Sequence, residues 1–167
     1  MIKTIVIALL SLILLCSCSE EQEFKTTIYP SDILTPTELE PYVGYSPVMT
    51  EETSRRVSTA TYTSDPIGTG DTVIVKVYQK NQLQTEEQVR AYFDECQNSR
   101  SDAFSIDSLD VDAYIAYPFI HYYTNGYHVQ IGAGTGSDNL QKALLMNLAK
   151  LSYENLTRLT GMNIVEE

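Results

Sequence analysis

The stretch FIHYYTNGYHVQIGA, Phe119 to Ala133, decides the fold. Asn125-Gly126 is the favoured pair for a two-residue type I′ turn, so a strand runs up to it and another runs back. With Thr124 opposite Tyr127, Tyr123 falls opposite His128, and His121 falls opposite Gln130. Side chains two apart share a face of the sheet. Ile120, Tyr122, Val129 and Ile131 therefore form one face, apolar and packed under helices. His121, Tyr123, His128 and Gln130 form the other. A slip of one residue would turn the whole apolar set to solvent, so the hydrophobic pattern pins the register.

Working outward, Ala113 to Tyr117 reads as a further strand, interrupted at Pro118. Arg56 to Thr63 is rich in β-branched residues and tyrosine. Val73, Val75 and Val77 alternate with Ile74, Lys76 and Tyr78, across a turn region from Asp65 to Asp71. These two runs form a second antiparallel hairpin with the valines inward. Thr35-Pro36-Thr37-Glu38 is a capping box with Pro at the first helical position, and its helix stops at Gly44. Thr85-Glu86-Glu87-Gln88 opens a second helix, reaching Ser99 or Arg100, with Val89, Tyr92, Phe93 and Cys96 as its apolar stripe. A long last helix starts near Asp138 and ends at Gly161, carrying Leu140, Leu144, Leu148, Leu151 and Leu159. Tyr45 to Ser54 and Arg100 to Asp110 read as connections. The order α-β-β-α-β-β-β-α predicts an α+β domain: a mainly antiparallel sheet of about five strands, with helices packed on one face.

The chain has 167 residues, with 11 Lys+Arg against 22 Asp+Glu and a formal net charge of -11. That balance argues against a nucleic-acid partner, which needs clustered basic residues. The N-terminus is Met1-Ile2-Lys3 followed by an apolar run from Ile5 to Leu15, broken by Ser11. Such a run is too short for a bilayer core of about 30 Å and has the layout of a secretory signal. It ends Leu15-Cys16-Ser17-Cys18, which resembles the lipobox of bacterial lipoproteins. The resemblance implies that Cys18 is diacylated and becomes the mature N-terminus; Cys16, preceded by Leu15, fits the cleavage position less well. Residues 1–17 are then a signal peptide, 18–27 a lipidated tether and 28–167 a single domain. The implied location is a bacterial cell membrane or outer membrane, facing the extracytoplasmic side. An acidic body would be held off an anionic membrane.

The segments ILTPTEL (Ile33–Leu39), VIVKVY (Val73–Tyr78), DAYIAY (Asp112–Tyr117) and GYHVQIGAG (Gly126–Gly134) also resemble small bacterial lipoproteins with a PsbP-like α/β fold. This implies a fold and carries no catalytic residue.

Both histidines fall on the second hairpin face, so His121, Tyr123, His128 and Gln130 form a candidate polar binding patch. On an exposed face, replacing either histidine by alanine leaves folding intact. Two histidines alone do not complete a zinc site, which usually takes a third protein ligand. Gly132-Ala133-Gly134-Thr135-Gly136 lies between a strand and a helix, but its spacing is not that of a nucleotide loop, and Ser137 or Asp138 explains it as a helix cap. Asp107, Asp110 and Asp112 lack the calcium-loop pattern. Cys96 reads as a small core hydrophobe. No catalytic residue, metal or cofactor is expected. The sequence favours a non-enzymatic binding or interaction domain at the cell envelope, with an unknown envelope protein or small ligand as partner. A structural or assembly component of an envelope complex, and a carboxylate-based hydrolase, are the alternatives.

Overall fold

The computed structural model describes residues 24–64, 71–134 and 139–161. The expected signal peptide, Cys18, most of the loop between the first two hairpin strands and the cap at Ser137 or Asp138 lie outside them. The fold is α+β. Its elements are α1 (Pro30–Ile33), α2 (Pro36–Val43), β1 (Val48–Thr53), β2 (Val57–Thr63), β3 (Thr72–Gln79), α3 (Glu86–Asn98), β4 (Phe104–Ser105), β5 (Asp112–Ala116), β6 (Phe119–Thr124), β7 (Tyr127–Ala133) and α4 (Asn139–Thr160). The strands form one antiparallel sheet of seven, ordered β1-β2-β3-β7-β6-β5-β4. Two meanders, β1 to β3 and β4 to β7, meet at the centre, where β3 pairs with β7.

The hairpin register is the expected one: Thr124 faces Tyr127, Tyr123 faces His128 and His121 faces Gln130. Asn125 and Gly126 both take positive φ, as a type I′ turn requires. Ile120, Tyr122, Val129 and Ile131 are fully buried. They pack with Val73, Val75 and Val77 beneath Leu145, Leu148 and Leu156 of α4 and Ile33 and Leu39 of α1 and α2. Tyr122 crosses this layer. Ser152 donates its hydroxyl proton to the Ala149 carbonyl at 2.9 Å, so Tyr122 donates to Ser152 at 3.1 Å.

Both capping boxes are present, on Thr35 and Glu38 and on Thr85 and Gln88. The strand count and order differ from the expected five. β1 escaped because an edge strand with two exposed faces has no need to alternate: VMTEET is almost wholly exposed. β4 is two residues long, and α1 is a single turn.

The expectation that helices pack on one face is corrected. α4, with α1 and α2, covers the first face, whereas α3 lies on the other, against β3, β6 and β7. Phe93 of α3 packs with Tyr114 and Ala116 in a second cluster, separate from the main core. The reason is area. α4 has 22 residues and spans about 33 Å, enough to fill the first face together with α1 and α2. The apolar stripe of α3 must then be buried on the opposite side.

The chain is bonded to the domain from Lys25 onward. Lys25 N–H donates to the Leu159 carbonyl at 2.9 Å. The buried Gln79 side chain pairs with both backbone groups of Ile28, accepting from its N–H at 2.9 Å and donating to its C=O at 2.8 Å. Gln79 thus imitates a neighbouring strand. Gln79→Ala should destabilise the fold by about 1–3 kcal/mol, because it orphans two buried backbone groups. Hydrogen exchange at the Ile28 amide should accelerate well beyond that at Val75; equal protection of Ile28 in both proteins would contradict this role.

Candidate functional site

Each residue of the expected patch belongs to β6 or β7, and three of the four lie under α3. His121 is 7% exposed, His128 0% and Gln130 6%. Tyr123 sits half-buried at the margin, with the Arg90 guanidinium 4.9 Å from its ring centroid. The expectation of an exposed polar face is therefore corrected, and with it the idea that His121→Ala or His128→Ala leaves folding intact. The imidazoles are core rings. Each truncation should cost about 2–4 kcal/mol, the range for emptying a buried large side chain.

The rings form a stack across four strands. Tyr114 of β5 stacks on His121 at 4.4 Å, His121 lies 5.5 Å from His128, and His128 stacks on Tyr78 of β3 at 5.1 Å. Tyr114 and His121 are register partners, as are Tyr78 and His128, so strand pairing itself sets two of the three steps. From α3, Phe93 presses edge-on against His128 at 5.2 Å, and Tyr92 tilts against Tyr78 and His128. Ring faces and edges of this kind add stabilisation beyond the area they bury.

One polar contact runs through the stack: His121 Nδ1 and His128 Nε2 are 3.2 Å apart. His128 Nδ1 is buried with no partner. Buried orphan N–H donors are rarer than orphan acceptors. This assigns the proton: His128 Nε2–H donates to His121 Nδ1, and His128 Nδ1 is left as a bare lone pair. Burial, then the positive charges of Arg100 and Lys76, lowers the His121 pKa to about 3. Burial, then His121, holds His128 well below the ordinary value. Both imidazoles are neutral at pH 7.

Cys96 is half-buried above Gln130, whose amide is 4.0 Å from Sγ. Burial pushes the thiol pKa up, against a lowering hydrogen bond with Tyr92. A protonated thiol is a poor nucleophile. Among the described residues no three His, Cys, Asp or Glu side chains are placed to hold a metal ion. Asp107 and Asp110 lie in the exposed loop before β5, while Asp112 and Asp94 both pair with Arg90.

Two clefts that sequence reading did not single out open at one corner of the sheet. The larger, about 290 Å³, lies between Phe24, Lys25, Lys80, Glu86 and Tyr127. The smaller, about 150 Å³, lies between Tyr29, Ser54, Arg56, Lys80 and Asn81. Their residues come from at least five separate segments, so no local motif marks them.

Compared with family models, with curated proteins and with solved structures, the chain matches none. Among the described residues no helix is long and apolar enough to cross a membrane.

Proposed function

We propose that the chain is a lipid-anchored extracytoplasmic protein whose α+β domain acts by binding rather than by catalysis. The observation that carries the binding half is the state of the imidazoles and the thiol. Both histidines are sealed beneath α3 and held neutral, and the thiol is held protonated. These groups serve packing, which leaves the outer surface and its corner clefts to meet a partner or small ligand. The anchoring half rests on Leu15-Cys16-Ser17-Cys18 at the end of a short apolar run. The likeness to PsbP-like lipoproteins belongs to the same reading.

A second reading, an assembly component of an envelope complex, is favoured by β1. It is one of the two edge strands, six residues long against two for β4, and its outer backbone edge has no strand partner among the described residues. Such an edge can accept an added strand from a partner.

Mass spectrometry of the mature protein tests the anchor. The N-terminal peptide should begin at a diacylated Cys18, and Cys18→Ser should move the protein out of the membrane fraction. An unmodified N-terminus downstream of Cys18 would sink the proposal.

A further inference from the structure

The sheet corner that receives the tether gathers unusual chemistry for so acidic a chain. The turn between β1 and β2 carries Arg55 and Arg56, β3 is followed by Lys80, and Lys25 enters beside them. All four are exposed, and Lys80 lines both clefts. Side-chain hydrogen bonds tie the two turns together: Asn81 and Gln84 donate to the carbonyls of Arg55 and Arg56 at 3.2 and 2.8 Å. Only Lys25 of the four has an ion-pair partner among the described residues, Asp32 at 2.6 Å. The carboxylates at or beside this corner are Asp32, Glu51 and Glu52 of β1, and the first-turn pair of α3, Glu86 and Glu87, and the tether before Phe24 adds Glu20, Glu21 and Glu23 in sequence. The acidic loop of Asp107 and Asp110 belongs to the opposite edge of the sheet.

The same corner is tipped with apolar side chains. Phe24 is 53% exposed and Leu83 56%, the two highest values among the large hydrophobic residues described. Leu83 projects from the turn between β3 and α3, where its N–H is held by Asn81 Oδ1 at 2.7 Å. Phe24 stands six residues after Cys18, a reach of at most about 20 Å even when fully extended.

We infer that this corner docks on the anionic lipid headgroups of the membrane that holds the anchor, with Arg55, Arg56 and Lys80 on the phosphates and Phe24 and Leu83 at the interface. The inference rests on the lipoprotein reading above. The short tether brings the corner to the bilayer. The charge of the remaining surface, net acidic, turns the rest of the domain outward. Exposed basic side chains with apolar tips are the means by which peripheral segments hold an anionic surface.

The chain contains no tryptophan, so Leu83→Trp supplies a single indole reporter. The lipidated variant is placed on vesicles of phosphatidylcholine, or of phosphatidylcholine with about a third phosphatidylglycerol, each with brominated acyl chains. Quenching and a blue shift are expected with the anionic vesicles. A Tyr42→Trp reporter, at the far end of the sheet, should stay unquenched. Lys80→Ala should lower the ratio of docked to undocked protein about fivefold, the equivalent of one basic residue near such a surface. Molar salt should reduce docking of the unaltered corner. If the Leu83→Trp protein floats with the vesicles while its indole remains unquenched on anionic lipid, docking is overturned and the anchor stands. If it floats with neither vesicle, both fail.

Discussion

Lowering the pH from 7 to 5 should destabilise the domain by up to about 4 kcal/mol, about 2 from each of two buried histidines. The sign follows from their position. In the unfolded chain each takes up a proton near its ordinary value of 6.5; in the fold His121 does so only near pH 3, and His128 well below 6.5. Their contribution is fully present above pH 6.5 and is lost as the pH falls, because the unfolded state binds protons that the folded state refuses. The groups facing the pair do not relieve this. Tyr78, Tyr92 and Tyr114 are neutral, Cys96 is a neutral thiol, and Lys76 and Arg100 repel a further positive charge. The window from 6.5 to 5 lies above the carboxylate range, so the histidines dominate it. Urea denaturation at pH 7, 6 and 5 measures the slope. The double variant His121→Phe with His128→Phe, which removes both partners of the hydrogen bond, should flatten it. A wild-type stability that does not change between pH 7 and 5 would mean that the pair is not kept neutral.

How much of this was legible in the sequence depends on whether the signal was local. The Asn125-Gly126 turn and the alternation on either side of it gave the register, and from it the two faces. Val73, Val75 and Val77 announced their inward side by period alone. The two capping boxes located α2 and α3 because capping needs only residues three apart. The fate of the second hairpin face was not local. His, Tyr and Gln read as polar, yet a neutral imidazole stacked between tyrosine rings packs as an aromatic side chain. The clue lay elsewhere in the chain, in Val89, Phe93 and Cys96, a stripe that had to be covered by something. β1 left no period because neither of its faces is well buried. Net charge is non-local in the same sense: a total cannot show that Arg55, Arg56, Lys80 and Lys25 lie at one corner of the sheet.

Phe93→Ala should cost about 3–5 kcal/mol and also blunt the acid response. α3 fully buries only Val89 and Phe93, and a helix of 13 residues is marginal on its own. Phe93 is 2% exposed and holds three partners at once: Tyr114 at 5.1 Å, Tyr123 at 5.8 Å and the edge contact to His128. The Arg90 guanidinium lies 5.3 Å from its ring centroid. Removing the ring leaves a space between the His128 imidazole, whose Nδ1 has no partner, and the Arg90 guanidinium. A void that borders polar groups takes up water, whereas a purely apolar one stays dry. Water at Nδ1 restores solvation to the imidazolium and draws the pKa of His128 back toward 6.5. The folded state then shares part of the proton uptake, and the pH slope shrinks. The two effects are coupled, so the cost of Phe93→Ala should be smaller at pH 5 than at pH 7. The check is denaturation of wild type, Phe93→Ala, the double histidine variant and their combination at both pH values. In the histidine-free background the cost of losing Phe93 should no longer depend on pH. An identical pH slope in wild type and Phe93→Ala would show that something other than this ring keeps the pair dry.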